Sequence, residues 1–345
     1  MFQNFDDTAS PEQGPARLQA LRKAMTDAGL DGFLVPRADA HQGEYVAAHD
    51  DRLAWLTGFT GSAGWCVALA NQAAVFTDSR YTVQVKAQVA EEFEKVDWPG
   101  TSLGDWIAQA CPGGTIGFDP WLLTVSQLEQ LEKELPEARL TRSANLVDQI
   151  WSDQPAPPKG KVIVQPLELA GEPHEAKIAR LAADIAPASA AIITLPDSIA
   201  WLLNIRGSDI PRNPVPHGFA ILHADARVTL YMAAEKLTEI SDHLGPKVTV
   251  KAPEDLLPGL ATLKGPVRID PATCPIAVTD ALDAELIRGD DPCLLPKARK
   301  NAAELEGARA AHHRDALAMV RFLAWLDGTA PGSLTEIDVV KRLEA

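Results

Sequence analysis

The sequence predicts an α/β protein of two tandem domains, each a mixed sheet with flanking helices, followed by a third, helical segment. Three observations predict it. The same order of elements, namely helix, short apolar strand, tryptophan-bearing core turn and strand pair, runs twice along the chain. Ala54-Trp55-Leu56 and Gly61-Ser62 return as Ala200-Trp201-Leu202 and Gly207-Ser208, 146 residues on in both cases. Between the copies lies Gln154-Pro155-Ala156-Pro157-Pro158-Lys159-Gly160, a polyproline-like spacer that can join neither flanking core. Chance supplies short matches, so the element order carries more weight than the identities. Domains are expected at 1–156, 157–296 and 297–345.

In order, Phe2 to Pro15 is a polar lead-in. Ala16 to Ala28 sets Leu18, Leu21 and Met25 at helical spacing, and Gly29 stands where a helix C′ residue belongs. Gly32 to Val35 is a strand stopped by Pro36, and Leu53 to Leu56 returns to the core. Trp65 to Leu69 and Ala74 to Phe76 form a hairpin about Asn71-Gln72. A helix is predicted from Tyr81 through about Glu92, then strands at Val96 to Trp98 and Thr115 to Phe118, and a helix at Ser126 to Leu135. In the second copy a helix with Ile178, Leu181 and Ile185 precedes a strand at Ala191 to Leu195, which Pro196 stops. Phe219 to Leu222 and Val228 to Tyr231 pair about Ala224-Asp225.

From Pro296 the pattern shifts to a long helix, Asn301 to Leu326, with Leu305, Ala308, His312, Ala316, Met319, Leu323 and Leu326 along one stripe. Asp327-Gly328 is expected to end it, and Ser333-Leu334-Thr335-Glu336 reads as a capping box opening another helix. Nothing else in 328–345 can bury that stripe, so a partner or further chain is expected to cover it.

Composition narrows the function classes. With 47 acidic against 32 basic residues, the net charge of −15 repels phosphate backbones and anionic lipid, which argues against nucleic-acid and membrane partners. No apolar run has the ~18 residues of a membrane span, and the opening residues do not form a signal core, so a cytoplasmic location is expected. Cys66, Cys111, Cys274 and Cys293 show no CxxC spacing and read as reduced, mostly structural thiols.

The richest stretch is Leu195 to Pro216. Ser198 to Ile205 reads as a buried helical turn or strand entry. It feeds a loop of Arg206, Gly207, Ser208, Asp209, Arg212 and Asn213 stiffened by Pro211, Pro214 and Pro216. Such a loop suits a substrate rim or a subunit contact, or it is a turn whose Arg and Asp satisfy one another. A second polar cluster, Asp39, His41, Glu44, Asp50 and Arg80, could hold an acid/base pair or ordinary ion pairs. No HExxH, HxH or clustered donor set has metal-ligand spacing, no G-x-S-x-G elbow surrounds Ser62, and Gly58, Gly61 and Gly64 are not a dinucleotide fingerprint. His312-His313 reads as one packed and one solvated histidine.

Asp39-Ala40-His41-Gln42-Gly43-Glu44-Tyr45, Gly58 to Gly64, Thr77-Asp78-Ser79-Arg80-Tyr81 and Asn204 to Val215 together resemble the amino-terminal half of a cytosolic-type, three-domain Xaa-Pro aminopeptidase (aminopeptidase P). Lys300-Asn301, Glu304, Glu306-Gly307, Arg309, Ala311-His312 and Arg314-Asp315 resemble the first helix of that family's pita-bread catalytic domain. The resemblance implies two creatinase-amino-terminal-type domains followed by the opening helices of an incomplete pita-bread domain.

The family removes the first residue of peptides with proline second, using two bridged divalent metals, commonly manganese, held by two Asp, one His and two Glu. The resemblance puts that cage beyond Ala345, so no catalytic residue, metal ligand or cofactor is expected in this chain. It implies instead a substrate rim and a homodimer contact at Asp39, His41, Glu44, Tyr45, Arg80, Tyr81, Arg206, Asp209 and Asn213. Two departures, Ser79 for a usual glycine and His217-Gly218-Phe219 for a usual aromatic-Ser-Tyr run, bear on substrate preference. The chief alternative is a stand-alone, non-catalytic module that binds peptides or a partner. A creatine-hydrolase or prolidase relative fits less well, since those usually carry one such domain.

Overall fold

The computed structural model describes residue 5 and residues 8–345; the rest of the polar lead-in lies outside them. The first domain is a six-stranded sheet of β1 (Gly32–Pro36), β2 (Trp65–Leu69), β3 (Ala73–Thr77), β4 (Glu94–Asp97), β5 (Thr115–Phe118) and β6 (Arg139–Arg142), in the order β4-β3-β2-β1-β5-β6. β1, β2 and β3 pair antiparallel and the outer pairings are parallel. All five β1 residues are buried because both faces of the sheet carry helices. Helix Gly14–Asp27 lays Leu18, Leu21 and Met25 on one face, with Leu53 and Leu56 from helix Arg52–Thr57. Gly29 takes φ +68°, a left-handed backbone conformation that ends the first helix and that glycine adopts without strain. On the other face, Trp106 and Ile107 from helix Leu103–Ala110 and Leu128 and Leu131 from helix Val125–Glu134 cover Phe76, Ile116 and Phe118.

The second domain repeats the plan. A ribbon of β7 (Ile163–Val164) and β9 (Ile205–Arg206) flanks a sheet of β8 (Ala190–Ile193), β10 (Phe219–His223), β11 (Val228–Tyr231), β12 (Val248–Lys251), β13 (Val267–Ile269) and β14 (Leu286–Arg288). Its order, β12-β11-β10-β8-β13-β14, is that of the first sheet element for element. Helices His174–Asp184 and Pro196–Leu202 cover one face. Helices Leu256–Ala261 and Ile276–Asp280 cover the other.

The lobes dock through the loops that follow their matching strands β5 and β13. Val125 N–H donates to the Cys274 carbonyl (3.1 Å) and Ile276 N–H to the Leu123 carbonyl (3.0 Å). Ser126 N–H reaches the Pro271 carbonyl (2.9 Å), and Ala277 N–H reaches that of Pro120 (2.9 Å). The exchange is reciprocal, as a pseudo-two-fold axis requires. Ile276 enters the first domain's core, while Trp121 and Val125 pack on the second's. Arg142–Asp280 and Arg288–Glu129 pairs flank the seam.

Several local expectations are corrected. The helix after Tyr81 covers only Gln84–Gln88, because Val89 turns extended so that Phe93 can reach the core. Pro196 does more than stop a strand. It occupies the first turn of helix Pro196–Leu202, where its missing N–H costs nothing. The long helix, Ala302–Asp327, opens on a reciprocal Asn301/Glu304 capping box, and Gly328 at its end keeps a right-handed φ of −82° instead of the left-handed C′ conformation. The next cap is Thr335 with Asp338; Ser333 Oγ donates instead to the Ala330 carbonyl (2.6 Å). Neither of these two helices has a buried residue, and Leu317, Val320 and Leu323 are exposed.

Candidate functional site

The loop leaving β1 crosses the seam to the second domain, where it shares a cavity of about 270 Å3 with the residues that enter β10 and leave β11. Asp39, His41, Asp50, His217, Phe219 and Lys236 wall it, and Pro157 and Pro158 of the spacer close one side. The spacer is therefore anchored. His49 Nδ1–H donates to the Pro155 carbonyl (2.6 Å), and Gly160 N–H donates to Asp209 Oδ1 (2.8 Å).

Asp39 is buried, and its Oδ1 accepts N–H bonds from His41 (2.9 Å) and Gly43 (3.2 Å), an Asx turn that fixes the carboxylate. His41 Nδ1 meets the Thr194 carbonyl at 3.3 Å, and its ring lies 4.5 Å from the rings of both His217 and Phe219. Burial, reinforced by His217, pushes the His41 imidazole down to about 3, so it is neutral at ordinary pH. Asp50 stands on the turn before helix Arg52–Thr57, with Oδ1 accepting from Arg52 (2.9 Å). Arg52 is also gripped by both oxygens of Asp148.

Asp209 lies behind the cavity. Its buried carboxylate accepts from Gly160 N–H, from His217 N–H (2.6 Å) and from the buried Lys236 ammonium, which also donates to the His217 carbonyl (3.1 Å). The open possibility that the loop's Arg and Asp satisfy one another is thus replaced by a Lys–Asp pair. Arg206 and Asn213 face a second cavity of about 300 Å3, with Trp201, Lys297, Lys300 and Glu304. Arg206 donates to the carbonyls of Ile205 (2.8 Å) and Ala200 (3.3 Å), and burial lowers its pKa.

The remaining sequence candidates sit apart from both cavities. Arg80 is exposed and forks onto Asp78 (2.9 and 2.7 Å), holding that carboxyl below its usual range. Tyr81 shares a 2.7 Å hydroxyl hydrogen bond with Ser62, which lowers its pKa. Glu44 and Tyr45 are exposed, and the Glu44 carbonyl accepts from Arg37 (2.7 Å). Of the polar cluster, then, Asp39, His41 and Asp50 converge, while Glu44 and Arg80 do not.

Sequence reasoning missed the role of His217. Local spacing showed no donor set, yet the docked lobes bring donor atoms of Asp39, Asp50 and His217 within 4.8 Å of one another. This is the one such group among the described residues. It contains two Asp and one His but no Glu, so it does not fit the five-ligand, two-metal cage implied by the resemblance. No dinuclear step is derived from it.

A Creatinase/Prolidase N-terminal domain model matches residues 17–150, and a second model of the same description matches 153–304. The chain is 34% identical over 366 residues to a probable Xaa-Pro aminopeptidase P of Coccidioides posadasii (strain C735), covering 98% of this chain and 56% of that one. It is 32% identical over 377 residues to aminopeptidase P2 of Arabidopsis thaliana, covering 95% and 53%. The fold superposes with a TM-score of 0.87 and 27% identity on the crystal structure of X-prolyl aminopeptidase from Caenorhabditis elegans, described as a cytosolic enzyme with a di-nuclear active site, over 96% of this chain and 59% of that one. The chain spans a little over half the length of these relatives. Its tandem lobes, in matching strand order, are creatinase/prolidase amino-terminal domains, and the chain belongs to that family as it occurs in the Xaa-Pro aminopeptidases.

Proposed function

We propose that this chain is the access-shaping amino-terminal portion of a metal-dependent Xaa-Pro aminopeptidase, which releases the first residue of peptides whose second residue is proline. The reading rests chiefly on alignment of nearly the whole chain, through both lobes and into the long helix, with aminopeptidase P relatives of almost twice its length. In this reading the 345 residues alone are inactive, and two divalent ions, commonly manganese, are held by a further catalytic domain. The exposed stripe of helix Ala302–Asp327 supports this, since such an apolar face is stable in water only when covered.

The substrate rim is built from the exposed Glu44, Tyr45 and Arg80, with Tyr81, and from Arg206 and Asn213 in the second cavity. Asp39, His41 and Asp209 hold the loops from behind. Homodimerisation and a cytosolic location complete the proposal, the latter supported by the description of the C. elegans protein. The test is hydrolysis of an Xaa-Pro dipeptide with Mn2+. Expected is no turnover by the purified chain and turnover once it is joined to a pita-bread domain from a relative. Robust turnover by the chain alone overturns the division of labour, and binding of a peptide or partner without turnover in either form favours a non-catalytic module.

A further inference from the structure

We propose that Asp39, Asp50 and His217 hold one divalent transition-metal ion across the seam between the two lobes. The first observation is convergence: two carboxylates from one domain and an imidazole from the other place donor atoms within 4.8 Å of one another. The second is independent of clustering. Asp39 Oδ2 is buried and has no hydrogen-bond partner, although its sister oxygen is fully engaged by two N–H groups. A buried carboxylate oxygen left bare is costly, and native interiors rarely keep one.

The bare oxygen points at His217 Nε2, 3.6 Å away, beyond a good hydrogen bond. Two donors each ~2.1 Å from a tetrahedral ion stand roughly 3.4 Å apart, so this separation suits two ligands of one ion better than a direct bond. Cations already nearby do not fill the role. Lys236 is committed to Asp209 and the His217 carbonyl, Arg52 to Asp148 and one Asp50 oxygen, and Lys159 to Glu235. The imidazole makes the donor set one for zinc, manganese or iron, as opposed to magnesium or calcium, which favour all-oxygen shells. An ion here would also clip the lobes together, because neither domain holds all three ligands.

The test uses the untagged 345-residue chain with ZnCl2 or MnCl2 as probe, read by metal content after equilibrium dialysis with excess Mg2+, and by melting temperature. Expected is one equivalent bound and a melting temperature that rises with metal. His217→Phe keeps an aromatic ring beside Phe219 and should fold. Together with Asp50→Asn it should weaken binding by more than about 100-fold, above the range for losing an outer-shell partner, and abolish the thermal shift. Absence of binding by the wild-type chain, binding unchanged in both variants, or displacement by Mg2+ overturns the proposal and leaves a plain Asp39–His217 pair. The readout is independent of peptidase activity, so its failure leaves the proposed function standing.

Discussion

Replacing Asp209 by alanine tests what holds the two-lobe cavity in shape. The Asp209 and Lys236 side chains are 0% and 4% exposed, so the substitution strands an ammonium group in the interior. It also removes the acceptor for the N–H groups of Gly160 and His217. Breaking one side of a buried pair costs about 3–5 kcal/mol, most of it from the charge left behind. At roughly 2–4 °C per kcal/mol for a domain of this size, that is a fall of about 6–20 °C in melting temperature. Urea unfolding should show the same loss as a lower midpoint with an unchanged m-value. Asp209→Asn with Lys236→Met removes both charges and keeps an acceptor oxygen, so it should recover at least half the loss. A single variant that loses less than about 1 kcal/mol refutes the buried-charge account, because that is the scale of an exposed pair. A double variant as unstable as Asp209→Ala assigns the cost to the two N–H groups instead.

Burial lowers Lys177 to about 8, below its unfolded value of 10.5, so the folded chain releases that proton first. Its destabilising contribution should be full below pH 8 and relieved between 8 and 10.5; urea midpoints across that window should rise more steeply for the native chain than for Lys177→Met. Ile276→Ala, which empties a second-domain side chain from the first domain's core, should cost about 2–4 kcal/mol by calorimetry. Arg288→Ala, across the same seam but exposed, should cost under about 1 kcal/mol and nothing measurable in 1 M salt. Burial raises the pKa of all four thiols, but Cys66, Cys274 and Cys293 are buried and Cys111 only half-buried, so on access alone a thiol reagent should label Cys111 first in the native chain and all four after unfolding.

The two-lobe plan was legible because buried central strands are uninterrupted apolar runs. Gly32 to Val35 and Ala191 to Ile193 need no structural context to be read. Strands β6, β12, β13 and β14 escaped because Arg139-Leu140-Thr141-Arg142, Val248-Thr249-Val250-Lys251, Val267-Arg268-Ile269 and Leu286-Ile287-Arg288 are each only three or four residues long and are broken or ended by Arg or Lys. Two further local signals lie in the sequence itself. Ser102 caps helix Leu103–Ala110 by accepting the Asp105 N–H, and Asp119-Pro120 recurs as Asp270-Pro271 at the two docking loops. In each, the Asp Oδ1 accepts the N–H two residues on, at 2.9 Å, which turns the chain toward the other lobe. At the site, Asp39, His41 and Asp50 stood out as one polar segment. His217 could be seen only as a departure from a familiar run, since its partners are supplied by docking.

That docking also divides the rim candidates by the way each can act. Asp39, His41 and Asp209 are buried and bonded to backbone groups of their own loops or of the opposite strand end, so substitutions there change where the loops stand. Arg80, Glu44 and Tyr45 are exposed and bear little of the fold, so substitutions there change what the loops touch. The spacer ties members of the buried set together, because Gly160 is fixed by Asp209 while Pro157 and Pro158 line the cavity walled by Asp39 and His41. Ordering of the spacer and placement of His217 therefore depend on one carboxylate. A loss of stability at Asp209 should carry His217 with it, whereas a loss at Arg80 should leave both lobes unchanged.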